Sequence, residues 1–220
     1  MKDKFNQQNF VKLIAATTFI IMLVSAVIYK PNLLTVIPSF VSIFVLFMQS
    51  QVNRYAFLIG TFNSVLYGVA YILMGLYSMA ANALLVSVPI TFFTFLMWNK
   101  NTTNGQTKTK SLTILQRIAM FVSMAVVWII LFATFSILGS PYLVLDNTIS
   151  VIGTASAILC AFRFAEFSLL NIISGVISIV LYIFMLKDDM SKISWLIFSC
   201  YSVTCSVISF INMIKKEKQQ

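Results

Sequence analysis

The sequence predicts an all-α protein that crosses a membrane several times. Of its 220 residues, 60% are hydrophobic and only 10% are charged, whereas soluble domains carry roughly 25% charged residues. The mean hydropathy is +0.94, and the apolar residues are grouped in long runs. A spanning helix needs about 20 apolar residues, within a range of roughly 17–25. Eight runs meet or approach this length.

The eight runs follow one another through mostly short connections. Their predicted limits are 12–29, 33–50, 55–74, 78–98, 115–138, 146–162, 166–186 and 193–214, and the sixth run is the shortest. Only the polar loop from Asn99 to Ser111 and the turn from Gly139 to Pro141 stand out. We therefore expect no soluble domain that could hold a separate active site. The first run lacks a convincing cleavage site, and we interpret it as a retained helix.

The positive charges predict how the helices are oriented. If the N-terminus is cytoplasmic, twelve Lys and Arg residues fall on that side, and only Lys30, Lys187 and Lys192 fall on the other. Basic residues are enriched on the cytoplasmic side of membrane proteins. This asymmetry predicts a protein of the cell membrane with eight transmembrane helices and both termini in the cytoplasm. It also explains the net charge of +9 without a nucleic-acid partner.

An internal repeat is visible when the chain is compared with itself at an offset of 115 residues. The matched positions include Val65-Leu66-Tyr67 with Val180-Leu181-Tyr182, Gly60 with Gly175, and Pro38 with Gly153. The repeat unit is a group of three helices, and the helix at 115–138 lies between the two groups. Because three is odd, this intervening helix gives both groups the same orientation, as in one class of carriers built from parallel repeats.

The predicted organisation is two parallel three-helix repeats joined by a linker helix, a 3+1+3 arrangement, with one extra N-terminal helix. The N-terminal tail and extra helix occupy 1–32, and the first repeat occupies 33–98. The cytoplasmic loop and linker helix occupy 99–140, the second repeat 141–214, and a basic cytoplasmic tail 215–220.

Each repeat contains one apolar helix with a stripe of small polar residues. Ser168, Asn171, Gly175, Ser178 and Tyr182 are three or four residues apart, and Gly60, Asn63 and Tyr67 follow the same spacing, which Asn53 and Tyr71 extend. Residues at this spacing share one face of a helix. A polar stripe on an apolar helix is typical of the wall of a solute pathway. We expect the two stripes to face a shared site near the middle of the bilayer.

Aromatic rings, amides and hydroxyls make up the predicted substrate site. The predicted binding residues are Asn63, Tyr67, Asn82, Ser168, Asn171 and Tyr182. Since none carries a fixed charge, they suit a neutral or mildly cationic ligand with a flat ring, which tyrosine faces attract. The alternative is that these polar groups only hold helices together, where one such hydrogen bond contributes about 0.6 kcal/mol.

Prolines and glycines inside the helices predict packing contacts or hinges at Pro38, Gly60, Pro89 and Gly175. Proline removes a backbone hydrogen bond, and glycine lets helices approach closely. Trp98 and Trp195 lie near the ends of predicted helices, so we expect them in the aromatic belt at the membrane interface.

Several function classes are excluded by residues that the sequence lacks. It contains no His, no GxxxxGK[ST] string, and no acidic residue in the middle of a predicted span. We therefore predict no metal, no cofactor and no enzymatic activity. Proton-coupled carriers usually hold a titratable group inside the membrane. This absence favours an uncoupled carrier, or one coupled through Na⁺ bound to backbone groups.

Short strings in a fixed order carry a resemblance to a known family. They are Gly60-x-x-Asn63-x-x-x-Tyr67, Gly75-Leu76-Tyr77, the run from Pro89 to Trp98, Leu145-Asp146, Arg163-x-x-Glu166 and Tyr182. Over about residues 33–215 the chain resembles the nicotinamide riboside transporters of the PnuC type. The resemblance implies facilitated diffusion of nicotinamide riboside or a related vitamin or nucleoside. It also implies a homo-oligomer, in particular a trimer, and a cytosolic kinase that traps the product without binding the carrier.

The seventh predicted helix departs from the pattern of that family. The family typically has a Trp-x-x-Trp pair followed by an Asn, and these places hold Ser168, Asn171 and Gly175 here. A stacking contact contributes about 0.5–1.5 kcal/mol, so the loss of two should weaken or retune the binding of a nicotinamide ring. The alternatives are a carrier of the same fold for thiamine, a deoxynucleoside or a sugar, and a membrane scaffold subunit that does not transport.

Overall fold

Nine α-helices form the part of the chain that the computed structural model describes, which comprises residues 2–50, 55–100 and 110–217, with side chains at 9–49, 55–97 and 110–211. They are α1 (Lys2–Tyr29), α2 (Leu33–Ser50), α3 (Tyr55–Leu73), α4 (Tyr77–Ala81), α5 (Val88–Lys100), α6 (Ile114–Ser136), α7 (Leu143–Ala161), α8 (Phe167–Asp188) and α9 (Ile193–Glu217). A π-helical segment, Asn82–Ser87, joins α4 to α5, and a 3₁₀ turn, Met190–Lys192, precedes α9. Asn53 and most of the polar loop lie outside the described residues.

The prediction of an all-helical protein with many apolar helices is confirmed. Among the described residues, seven helical stretches are long and apolar enough to cross a membrane, and α2 is apolar but shorter over Leu33–Gln49. The stretch from Tyr77 to Met97 combines α4, the π-helical segment and α5. The first helix begins at Lys2 rather than at the predicted residue 12, because its polar first turns continue the helix beyond the apolar run.

Six helices contact one another in a closed order. α2 packs on α3, α3 on α5, α5 on α7, α7 on α8, α8 on α9, and α9 on α2. α1 packs on α2 and α9, whereas α6 packs mainly on α7. No residue of α6 is fully buried, as expected of a helix that faces lipid along most of its length. The polar side chains described below lie where α3, α4, α7 and α8 meet.

A carboxylate from α7 caps the N-terminus of α4. Asp146 is fully buried and accepts hydrogen bonds from the backbone N–H groups of Ser78, at 3.0 Å, and Met79, at 2.8 Å. The first N–H groups of a helix have no partner within it, and its positive end favours a negative charge. Ser140 donates to the same carboxylate at 3.3 Å and to the carbonyl of Gly75 at 3.2 Å. These bonds join the α3–α4 turn to the start of α7.

The irregular helical segment between α4 and α5 ends next to a proline. Pro89 is the second residue of α5, and proline lacks an N–H and crowds the carbonyl four residues before it. The wider π-helical turn before Pro89 accommodates this change. Gly68 of α3 faces the segment, since a Cβ there would lie 2.4 Å from the side chain of Leu84. Glycine at this position allows α3 to approach the π-helical segment closely.

At the opposite end of the helices, the connection before α6 pairs with the connection before α8. The backbone N–H of Lys110 donates to the carbonyl of Arg163 at 2.9 Å. The carboxylate of Glu166 accepts from the N–H of Leu112 at 2.8 Å and pairs with Arg117 at 3.0 Å. Arg163 has a positive φ of 65°, which turns the chain sharply between α7 and α8. The Arg163-x-x-Glu166 string therefore has a structural role at this turn.

The turn between α8 and α9 is held by local polar contacts. Asp189 accepts hydrogen bonds from the hydroxyl of Ser191 at 2.7 Å and from its N–H at 2.9 Å. These bonds stabilise the carboxylate and lower the pKa of Asp189 to about 2. The hydroxyl of Tyr142 hydrogen-bonds Asp188, which raises the pKa of Tyr142. The start of α7 is thereby joined to the end of α8.

Candidate binding site

A cavity of about 160 Å³ lies between α3, α4, the π-helical segment, α7 and α8. Six residues of its wall carry hydroxyl or amide groups: Ser64, Tyr67, Tyr71, Asn82, Ser87 and Ser174. The other four are Met79, Ala83, Ile149 and Gly153. None of these ten wall residues is charged. Since pockets for drug-sized ligands measure about 300–1,000 Å³, this cavity suits a solute smaller than a typical drug.

Tyr67 of α3 is fixed by polar contacts to α2. Its hydroxyl lies 2.8 Å from the hydroxyl of Ser42. The amide nitrogen of Asn63 donates to the same Ser42 hydroxyl at 2.7 Å and to the carbonyl of Pro38 at 3.1 Å. Asn63 is 3% exposed and does not line the cavity. In this structure it joins α3 to α2 one turn away from Tyr67 and fixes the position of that ring.

Four aromatic rings form a cluster that includes two residues of the cavity wall, Tyr67 and Tyr71. Tyr67 stacks on Tyr71 with ring centroids 5.4 Å apart. Trp195 of α9 lies 5.5 Å from Tyr67, 5.4 Å from Tyr71 and 5.5 Å from Tyr182. Such spacings are typical of favourable aromatic pairs. The cluster thus brings together the two tyrosines, Tyr67 and Tyr182, that correspond to each other in the sequence repeat.

The prediction that Trp195 lies in an interfacial belt is wrong. Its side chain is only 1% exposed, and it packs in the apolar core with Leu76, Met79 and Leu181. Ser194 and Trp195 in the first turn of α9 are both buried, so a position near a helix end lies inside the bundle here. The side chain of Trp98 lies outside the described part of the chain.

Asn82 lies in the cavity wall at the first position of the π-helical segment. Its side-chain oxygen accepts a hydrogen bond from the hydroxyl of Thr154 at 2.7 Å. A Cβ at Gly153 would lie 3.4 Å from the Asn82 amide nitrogen, so glycine leaves room for the amide. The side-chain oxygen of Asn82 is therefore held by α7, and the same residue borders the cavity. Segments of π-helix are often found at functional sites.

The polar stripe of α8 contacts α7 at Asn171. The side-chain oxygen of Asn171 accepts a hydrogen bond from Ser156 at 2.5 Å, and Ser156 also donates to the carbonyl of Phe167 at 3.0 Å. Ser168 is 1% exposed. Neither Ser168 nor Asn171 borders the cavity, whereas Ser174, three residues after Asn171, does. In this structure the cavity is bordered by a face of α8 rotated slightly from the predicted stripe.

Two of the six predicted binding residues, Tyr67 and Asn82, therefore lie in the cavity wall. The other four, Asn63, Ser168, Asn171 and Tyr182, pack behind it. Of the predicted packing residues, Gly175 lies against α9, since a Cβ there would be 2.5 Å from Val203. Gly60 is less crowded, at 3.8 Å from Val45. Pro38 is inside α2, and Pro89 follows the π-helical segment.

A third polar stripe, on α7, was missed in the sequence. Asn147, Ser150 and Thr154 are three and four residues apart, the same spacing that identified the stripes of α3 and α8. Ser78 donates to the side chain of Asn147 at 3.2 Å, and Ser150 donates to the carbonyl of Ser78 at 2.9 Å. The spacing rule, applied to the sixth predicted helix, would have found these residues. Tyr71 was placed on the stripe of α3 but not among the predicted binding residues, and Ser64, three residues before Tyr67, could have been found by the same spacing.

The arrangement can bind a small solute through uncharged polar groups. Its wall supplies hydroxyls, one amide and the aromatic rings of Tyr67 and Tyr71. Among the described residues, no three His, Cys, Asp or Glu side chains are grouped in a way that could hold a metal ion. A neutral polar cavity between apolar helices is the kind of site through which a membrane protein passes a small molecule.

Many apolar helices around such a cavity are typical of a multi-pass membrane transporter. Residues 32–215 match the model of the Nicotinamide mononucleotide transporter family, and the chain belongs to this family. The resemblance to PnuC-type transporters is thereby confirmed. The fold is also similar to a solved structure described as a crystal structure of the Vitamin B3 transporter PnuC, with a TM-score of 0.80 and 22% identity over 96% of this chain and 92% of that chain. No curated protein matches the chain significantly.

Proposed function

We propose that the protein is a facilitative carrier for the uptake of nicotinamide riboside or a related nucleoside or vitamin, and that the solute binds in the cavity beside Tyr67, Tyr71 and Asn82. Membership in a transporter family supports the general activity. The uncharged wall of aromatic and polar residues supports the kind of solute. This family and fold are those of transporters rather than enzymes.

The uncharged wall is the observation that carries the proposal. The family is described by the mononucleotide, whose phosphate carries a charge near −2 at neutral pH. A buried phosphate needs Arg or Lys partners, and none of the ten wall residues is basic. The riboside lacks the phosphate and carries a positive pyridinium ring. The faces of Tyr67 and Tyr71 would attract that ring by about 0.5–2 kcal/mol.

The roles of the predicted residues follow from their positions. Tyr67 and Asn82 would contact the solute directly, with the amide of Asn82 bonding a ribose hydroxyl. Asn63, Ser168, Asn171 and Tyr182 would contribute from behind the wall by holding the helices that form it. Pro38 and Pro89 would allow the helices around the cavity to bend as access alternates between the two sides of the membrane.

The 3+1+3 organisation with an extra N-terminal helix is also part of this proposal. Eight spans with both termini in the cytoplasm agree with the distribution of basic residues. The closed order of helix contacts supports the repeat, since α2–α3–α5 and α7–α8–α9 follow one another in the same way. The domain limits 1–32, 33–98, 99–140, 141–214 and 215–220 describe the same organisation. A trimer and a cytosolic trapping kinase remain proposals from the family resemblance.

A second group of substrates is favoured by one observation. Ser168 and Asn171 stand where the family typically has two tryptophans, and neither residue borders the cavity in this structure. The aromatic surface available to a ring is therefore limited to Tyr67 and Tyr71. Thiamine, a deoxynucleoside or a sugar could use the hydroxyl groups of the wall with fewer stacking contacts.

Ligand-induced stabilisation of the purified protein tests the choice of solute. A ligand that binds the folded state raises the unfolding temperature in proportion to the logarithm of its concentration over Kd. We expect nicotinamide riboside to raise it and the mononucleotide to have little effect at the same concentration. The panel also includes thiamine, a deoxynucleoside and a sugar. A stronger effect of one of these would reassign the substrate, and no effect of any solute would favour the scaffold alternative.

A further inference from the structure

A groove between α1 and α2 lies apart from the central cavity. Its volume is about 270 Å³, and its walls include Lys12, Ala15 and Phe19 of α1 and Phe40, Ile43 and Phe44 of α2. The family match begins at residue 32, so α1 forms one wall from outside the matched segment. The groove contains one charged residue, Lys12, and is otherwise apolar, in contrast to the cavity described above.

Aromatic rings from both helices meet at one end of this groove. Phe19 and Phe40 meet edge to face with ring centroids 5.2 Å apart. Ala15 and Ile43 form a buried floor, and Phe44 forms a rim that is 53% exposed. Because α1 is one of the helices apolar enough to cross a membrane, an exposed groove along it would face the hydrocarbon region of the bilayer. A groove of this shape and composition fits an acyl chain.

Lys12 provides a positive charge at the other end. Lys12, Ala15 and Phe19 are three and four residues apart and so share one helix face, with about 10 Å along the axis between Lys12 and Phe19. Lys12 is the fourth residue of the apolar stretch that begins at Asn9, where a long basic side chain can reach the lipid headgroups. The predicted topology puts this end of α1 on the side that carries twelve of the 15 basic residues.

We propose that this groove binds an anionic phospholipid, with an acyl chain along Ala15 and the phenylalanine rings and the phosphate at the ammonium group of Lys12. The ammonium donates charge-assisted hydrogen bonds to the phosphate oxygens. The acyl chain fills the space that α1 and α2 leave open. The bound lipid stabilises the contact of α1 with α2 and thereby the position of the extra N-terminal helix.

Lipid retention by the full-length protein tests this site. The protein is reconstituted in vesicles of equal parts phosphatidylglycerol and phosphatidylcholine, extracted in mild detergent, and analysed by native mass spectrometry. Wild type is expected to retain phosphatidylglycerol about fivefold more than phosphatidylcholine, the factor for one basic group at an anionic surface. Lys12→Gln is expected to abolish this preference. Lys110→Gln, the same change at an exposed lysine that borders neither groove nor cavity, is expected to preserve it.

Four outcomes would overturn the proposal. The first is equal retention of both lipids by wild type, and the second is an equal loss of preference in Lys12→Gln and Lys110→Gln. The third is displacement of the lipid by inorganic phosphate. The fourth is a lipid-free complex whose subunit number changes in Lys12→Gln. The second would indicate general surface charge, the third a site for free phosphate, and the fourth a second copy of the chain in the groove. The substitution is at an exposed side chain, so the folded state is expected to persist in every arm.

Discussion

Tyr71 contributes an aromatic face to the cavity without a hydrogen bond to α2, unlike its neighbour Tyr67. It stacks on Tyr67 and lies 5.4 Å from Trp195. The sequence placed Tyr71 one turn beyond the predicted binding residues but gave no reason to prefer it. Whether a residue lines the cavity or packs behind the wall depends on how the helix is rotated about its axis. The spacing of polar residues predicts that rotation only to within about one residue position.

Tyr71→Leu is expected to weaken the binding of nicotinamide riboside about fivefold. The change keeps an apolar side chain but removes a ring face worth about 1 kcal/mol to a cationic ring. Calorimetry with the purified protein measures the Kd. Tyr55→Leu makes the same change at a half-exposed position of the same helix and should leave the Kd unchanged. An unaltered Kd in Tyr71→Leu would place the ligand elsewhere.

Asn63 illustrates what sequence reasoning can and cannot determine for one residue. Its position in the Gly60-x-x-Asn63-x-x-x-Tyr67 string marked it as an inward-facing residue, and the structure buries it. Its partners, however, are the hydroxyl of Ser42 and the carbonyl of Pro38 on the preceding helix. The hydrogen bond from the Asn63 amide to the Pro38 carbonyl is a tertiary contact, and residue spacing within one helix does not predict it.

At the scale of elements, the continuous helix from Tyr77 to Lys100 was predicted as one span. Its division into α4, a π-helical segment and α5 was not predicted. Its N-terminus depends on a carboxylate 68 residues away in sequence, since Asp146 accepts from Ser78. The sequence showed Asp146 near a helix end and therefore near a boundary. It could not show which helix the carboxylate would cap, because that depends on how α4 and α7 pack.

Asp146→Asn is expected to destabilise the protein by about 2 kcal/mol. The amide keeps the shape of the side chain but loses the charge and one acceptor, so one N–H of α4 is left without its partner. The unfolding temperature, followed by tryptophan fluorescence in detergent, should fall by about 4–8 °C. Asp188→Asn, at an exposed carboxylate, should lower it by much less. Equal effects of the two substitutions would argue against the cap.

The π-helical segment sets the position of Asn82 in the wall. Pro89 predicted a distortion in this helix, and the distortion lies immediately before it. The sequence could not predict that the distortion would be a widening rather than a kink. The close approach of Gly68 to Leu84 shows how the neighbouring helix adapts to the wider turn.

At the scale of the whole molecule, composition and run length were enough to predict the membrane class and the approximate limits of most apolar helices, although not the polar start of α1 or the division of the fourth span. These features follow from the thickness of the bilayer, which imposes the same length on each span. The site was predicted less fully, because two of six residues border the cavity and the polar stripe of α7 was missed. Cavities depend on how several helices pack together, whereas each stripe reports on one helix.

Uptake is expected to be independent of a proton gradient. No wall residue of the cavity is titratable near neutral pH, and the buried Asp146 is engaged by the N–H groups of α4. Initial uptake of labelled nicotinamide riboside into proteoliposomes, without any kinase, should be the same with and without a protonophore. A large loss of initial uptake on addition of the protonophore would indicate coupling.

Counterflow provides the most direct measurement of the central claim, that an uncharged cavity passes a riboside across the membrane. Proteoliposomes of the purified full-length protein are loaded with unlabelled nicotinamide riboside and diluted into labelled riboside or labelled mononucleotide. We expect transient accumulation of the labelled riboside and little accumulation of the mononucleotide, because the cavity wall has no partner for a phosphate. The claim would be contradicted if the mononucleotide accumulated as fast as the riboside, or if neither solute accumulated.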